Sequence, residues 1–219
     1  MTQFRSSYRH NLDDLRNTVL RMGAFAEGML GRAMQALVSQ DVELAREVHR
    51  SDDVADDFDR EIERTAISLL ASQQPVSGDL RNILGALRIA TDLERIADYA
   101  KDIAKVTIAV APTPWFAPLE DIALMGEMAG ELLRQALRAF ADQDLTLARK
   151  VAADDEKLDE LWHKLWAQLN LRMAGDPEVI SQATYLLLVA RYLERIGDHT
   201  INIMERLNYM ETGKLEPMA

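Results

Sequence analysis

Apolar residues recur at three- and four-residue intervals along almost the whole chain, and the strict alternation expected of half-buried strands is absent. That spacing predicts an all-α protein. The breakers are few, with 10 Gly and 6 Pro in 219 residues, and they fall between the periodic stretches. Pro75 in QQPVSGD and Pro177 in AGDPEV each separate two long stretches. Between them lies PTPWFAP, where Pro112, Pro114 and Pro118 should stop a helix and form the linker. Six helices are predicted, at roughly 4–39, 41–72, 77–110, 117–141, 143–174 and 177–210.

The pattern also repeats. At an offset of 103, Gln40–Asp56 (QDVELAREVHRSDDVAD) matches Gln143–Asp159 (QDLTLARKVAADDEKLD) at 8 of 17 positions. Met22 and Gly23 fall on Met125 and Gly126 at the same offset. At an offset of 100, Leu93–Ile103 (LERIADYAKDI) matches Leu193–Ile203 (LERIGDHTINI) at 6 of 11 positions. The offset changes in the loops around Pro75 and Pro177, where a length difference costs little. The expected architecture is therefore two tandem, pseudo-symmetric three-helix bundles, residues 1–111 and 112–219.

Acidic residues break the apolar faces in a regular way. On a helical projection Glu94 and Asp98 lie on the stripe that carries Ile83, Leu87, Ala90 and Ala97. Glu194 and Asp198 do the same among Leu187, Ala190, Gly197 and Ile201. On the preceding helices Asp52 and Asp56 share a face with Ala45, Val48, Ala66 and Leu70, and Asp155 and Asp159 with Val151, Leu158 and Trp162. Each half thus carries a D-x-x-x-D pair followed by an E-x-x-x-D pair. Like charges one turn apart repel, and partial burial adds several kcal/mol per ion unless a cation answers it. A hard cation held by oxygens (Fe, Mn, Mg or Ca) is one answer. A salt-bridge network is the other. Lys101 and Lys105 lie on the first-half stripe, but Ile201 and Glu205 stand at those places in the second half. Arg95 and Arg195 project about 100° away from the adjacent Glu.

Composition narrows the function. A net charge of −11 disfavours nucleic acid and anionic lipid as partners. The absence of Cys removes disulfides, thiolate metal sites and cysteine nucleophiles. The first ten residues hold no apolar signal-like segment, and no apolar run is long enough to span a membrane, so a soluble cytoplasmic protein is expected. Glu160 and His163 make a lone Glu-x-x-His of the di-iron type, off the acidic stripe. Asp53 and Asp57 read as a solvated face. No P-loop, dinucleotide fingerprint or nucleophile elbow occurs, and nothing in the sequence argues for catalysis.

LERIAD at 93–98 and LERIGD at 193–198, with LDDLRNTVLRMGAFAEGML, the repeated QD boundary and QPVSGDLRNIL, resemble the PhoU family of bacterial phosphate-transport accessory proteins. The resemblance covers nearly the whole chain and implies two three-helix bundles. It implies multinuclear metal sites with ligands at Glu94, Asp98, Glu194 and Asp198, completed by Asp52, Asp56, Asp155 and Asp159. Asp102, matched by Asn202, is a further first-half position. Iron or zinc is the expected metal, with Mn, Mg or Ca as alternatives. The resemblance also implies negative regulation of the phosphate-starvation response and modulation of high-affinity phosphate uptake. The chain would act as a cytoplasmic adaptor, peripheral to the inner face of the membrane, between the ATPase subunit of the phosphate ABC transporter and a sensor histidine kinase. A homodimer is expected from the long helices. The competing readings are an accessory of a low-affinity phosphate permease, a carboxylate di-iron enzyme, and a scaffold whose acids are all ion-paired.

Overall fold

The computed structural model describes residues 2–73, 75–111, 113–117 and 119–218, and among them there are helices and no strands. The helices are α1 (Thr2–Ser39), α2 (Val42–Arg50), α3 (Asp52–Gln73), α4 (Ser77–Val110), α5 (Glu120–Asp142), α6 (Leu145–Gly175) and α7 (Ile180–Thr212), with a 3-10 turn at Pro177–Val179. The expected helix at 41–72 is therefore two, broken for one residue at Ser51. Ser51 turns its hydroxyl onto the Val48 carbonyl, a local bond that competes with helix continuation. The second-half counterpart, α6, runs unbroken. Of the linker prolines, Pro114 lies in irregular backbone, whereas Pro112 and Pro118 fall outside the described residues.

The repeated Gln-Asp has a structural reason. Gln40 and Gln143 both adopt left-handed backbone, with φ of 53° and 54°, and end α1 and α5. The Asp that follows sends its N–H back to the Ala36 or Ala139 carbonyl, 2.9 Å in each half. Its side chain then caps the next helix: Asp41 accepts from Leu44 N–H, and Asp144 from Thr146 and Leu147 N–H. Two residues thereby close one helix and open another.

The two halves share one hydrophobic core. α1 and α5 interlock reciprocally across it. A Cβ at Gly23 would collide with the Leu137 side chain, and a Cβ at Gly126 with Met34. These are the same two positions of the repeat, exchanged, so each helix offers a notch to the other's knob. α4 and α7 run antiparallel beside them. Asp92 meets His199 Nδ1 at 2.9 Å, and Tyr99 stacks on Tyr192 with ring centroids 5.7 Å apart. Asp92 and Tyr192 are counterparts, as are Tyr99 and His199, and the Tyr99 and His199 rings sit 5.8 Å apart near the pseudo-twofold axis. Among the described residues no helix is long and apolar enough to cross a membrane.

Filling one notch should loosen the interlock. Gly126→Leu is expected to cost at least about 1–3 kcal/mol of unfolding free energy through overpacking against Met34. Urea titration followed by circular dichroism reads this directly, and a midpoint equal to the parent's would show that the notch is not structural.

Candidate functional site

The acids singled out by the repeat lie where α3 meets α4 and where α6 meets α7, at matching places in the two halves. The two places are chemically different.

In the second half Asp155 and Asp159 on α6 gather with Glu194 and Asp198 on α7. Burial, followed by the charges of Asp159, Asp198 and Glu194, pushes the Asp155 carboxyl up to about 7. Burial and Asp198 also raise Glu194, against the opposing effect of Arg191 and Arg195. Asp159 is raised by burial and Asp198, with His163 and Arg191 opposing. Among the described residues, Asp155 Oδ1 and Glu194 Oε2 are buried and find no hydrogen-bond partner. Gly197 makes the approach possible, because a Cβ there would collide with Asp155 Oδ1 and the Leu158 side chain.

The arginines depart from the expected projection. Arg195 turns back along its own helix to pair with Asp198 at 2.7 Å, and Arg95 does the same with Asp98 at 3.3 Å. The helical wheel places Cα–Cβ vectors, and a long guanidinium side chain reaches a turn away from its own vector. Arg191 pairs with Glu194 and lies over the Trp162 ring. Arg195 Nε also lies 3.8 Å from the buried Glu194 Oε2, beyond hydrogen-bond range, and among the described residues no cation pairs with Asp155.

The first half carries its own cation. Lys101 Nζ donates to Asp52 at 2.5 Å and to Asp98 at 2.7 Å, joining α3 to α4. Burial works against the ammonium, but the bonds to Asp52 and Asp98 outweigh it and hold Lys101 well above the usual lysine range. Asp52 also stands in the first turn of α3, where the helix N-terminus favours negative charge. The break at Ser51 creates that terminus. Asp155 sits inside α6 and has no such support.

Other expected members disperse. Asp56 pairs with Arg60 at 3.4 Å, and Asp57 with the same arginine at 2.7 Å. Asp102 does not join the first-half acids. It pairs with Lys105 at 2.8 Å and lies near Tyr192, whose hydroxyl is raised by burial and by Asp102. Lys105 is thereby withdrawn from Glu94 and Asp98. Glu160 and His163 are both exposed. Asp59 was missed by the repeat, since its counterpart is Trp162. Burial, Glu63 and Asp56 raise its carboxyl, and it adds to the charge on Glu94, itself raised by burial and Asp98.

Among the described residues no three acidic or histidine side chains stand ready-made as a ligand set. The second-half acids nonetheless fit an oxygen-liganded cation in chemistry, through two unpartnered buried oxygens and a like-charged cluster. The first-half acids fit one poorly, because Lys101 already supplies the charge.

The family model for the PhoU domain matches twice, at residues 19–107 and 122–207. The chain belongs to the PhoU family. It is 37% identical over 211 residues to a phosphate-specific transport system accessory protein PhoU homolog of Clostridium acetobutylicum, covering 96% of each chain. A Rhizobium meliloti protein of the same description is 38% identical over 212 residues, covering 95% of this chain and 88% of that one. Among solved structures, PhoU from Pseudomonas aeruginosa superposes with a TM-score of 0.91 at 32% identity, covering 94% of this chain and all of the other. The phosphate transport system regulatory protein PhoU from Streptococcus pneumoniae gives 0.89 at 30%, covering 95% and 99%. The all-α fold of the PhoU family is therefore this chain's fold.

Two outcomes check the electrostatics. An acid that binds its proton more tightly when folded destabilises the native state as pH rises from about 4 through about 7, absent a cation. Asp155→Asn should therefore melt a few degrees above the parent in chelator-treated buffer at about pH 8, with the gap shrinking near about pH 5. A gap independent of pH would sink the assignment. In the first half, Lys101→Ile copies Ile201 and should cost about 1–3 kcal/mol in urea unfolding, because Asp52 and Asp98 lose their shared cation.

Proposed function

We propose that this chain is a negative regulator of the phosphate-starvation response that also tunes high-affinity phosphate uptake. It would act as a cytoplasmic adaptor, held at the inner face of the membrane by its partners. Those partners are the ATPase subunit of a phosphate ABC transporter and a membrane histidine kinase. The observation that carries the reading is near full-length identity, 37–38%, to proteins described as accessory to phosphate-specific transport. The chemistry of the chain agrees. It presents long helical surfaces with a strongly acidic balance, suited to basic patches on partner proteins. The relatives' descriptions are those of accessory and regulatory proteins, and we assign the chain no catalytic step.

The same reading includes a hard or borderline cation, iron or zinc first, with manganese, magnesium or calcium as alternatives. Asp155, Asp159, Glu194 and Asp198 would hold it. Its contribution would be positive charge that ties α6 to α7 and satisfies the buried oxygens of Asp155 and Glu194. Self-association as a homodimer belongs to the reading as well.

Deletion of the gene in cells grown with abundant phosphate should release secreted alkaline phosphatase from repression, and the intact gene should restore silence. Unchanged repression would overturn the regulatory reading. For the cation, Mn(II), Fe(II) or Zn(II) should raise the melting temperature of the parent protein. Glu194→Ala and Asp198→Ala should abolish that rise and the bound metal measured by elemental analysis. A rise retained in both variants would place any metal elsewhere.

A further inference from the structure

In one row of the α4–α7 seam two arginines stand where the counterpart row is apolar. Arg81 reaches the Met210 carbonyl, Gly85 packs against the Met210 side chain, and Asp92 meets Asn202 and His199. These antiparallel pairs place Arg88 level with Arg206. Both arginines line one groove of about 530 Å3 between α3, α4 and α7. At the pseudo-equivalent row the residues are both apolar, the exposed Leu188 and the buried Val106. One of two equivalent places thus carries two arginines on a single groove, and the other carries hydrocarbon.

Those charges lack an internal answer. Among the described residues neither Arg88 nor Arg206 enters an ion pair, whereas Arg21, Arg60, Arg95, Arg134, Arg191 and Arg195 do. Arg206 is half-buried and Arg88 is exposed. Thr91 and the Tyr209 phenol line the same groove and add hydroxyl donors. Asp59 and Glu63 form the opposite wall, which confines an anion to the α4–α7 side and can accept hydrogen bonds from a hydroxyl or amine. Leu84, Leu87 and Leu215 give the groove an apolar flank. The volume lies within the range of small-molecule sites.

We propose that Arg88 and Arg206 seat a phosphoryl group, so that this groove binds a small phosphate-bearing anion, free or esterified. Two forked guanidiniums match the several oxygens of a phosphoryl group. The site lies apart from the acids of α6 and α7, and the inference does not depend on the regulatory reading.

Isothermal titration of the full chain with inorganic phosphate, AMP and adenosine tests it. AMP or phosphate should bind, and adenosine, which lacks the phosphoryl group, should bind at least about tenfold more weakly than AMP. AMP tighter than phosphate would identify an esterified ligand, and equal affinities a free one. The doubly substituted chain Arg88→Leu, Arg206→Val copies the counterpart row, so it should keep its helical circular dichroism while losing affinity by at least about tenfold. Arg206→Gln alone should weaken binding in the same direction if the double substitution does not fold. The proposal is overturned if neither phosphate nor AMP binds, if adenosine binds as AMP does, or if a folded variant binds as tightly as the parent.

Discussion

Two long helices carrying the same hexapeptide motif, α4 and α7, lie antiparallel against each other, and the arrangement of the rest depends on that seam. Its buried faces hold the two halves as one core, with Asp92–His199 and the stacked Tyr99–Tyr192 pair at the centre. α1 and α5 reinforce it through exchanged glycine notches. Once the seam is set, the E-x-x-x-D motif of each helix can only look outward to its own flanking helix, α3 or α6. That is why the chain has two separate acidic places and no single shared one.

Near-symmetry is what makes the differences informative. The two acidic places descend from the same repeat, and the protein neutralises them by different means. Lys101, the helix start at Asp52 and the break at Ser51 settle the charge in the first half with the chain's own groups. The second half has Ile201 in place of the lysine, Gly197 in place of Ala97, and an unbroken α6. Arg191 and Arg195 answer Glu194 and Asp198 there, while Asp155 is buried among like charges with no cation of its own among the described residues. Arg88 and Arg206 are the mirror case, positive charge placed where the other half has hydrocarbon.

Much of this was legible along the chain because helical period, proline position and the two offsets are local properties. The six-rod pattern, the repeated halves and the acid stripes all follow from which residues recur at which spacing. The family follows from the paired LERIAD and LERIGD motifs, whose spacing is too particular to arise from helix formation alone. Projection failed where side-chain length mattered. Arg95 and Arg195 bend back to Asp98 and Asp198, and Asp102 turns with Lys105 toward Tyr192. Asp59 escaped because its counterpart is Trp162, so a comparison of halves passes over it.

Residue order alone therefore establishes that this is a duplicated all-α chain, which faces of its helices are apolar, and that acids interrupt those faces in both halves. It does so because backbone hydrogen bonding and burial impose a 3.6-residue period that any sequence must obey to form such helices. Which acids are answered, and by what, is decided only in three dimensions. Lys101 reaches Asp52 from another helix, Asp155 of α6 packs against Gly197 of α7, and Arg88 comes level with Arg206 because α4 and α7 pack in one register. Charge compensation depends on distances of a few ångströms between segments far apart in the chain, and no local period encodes them.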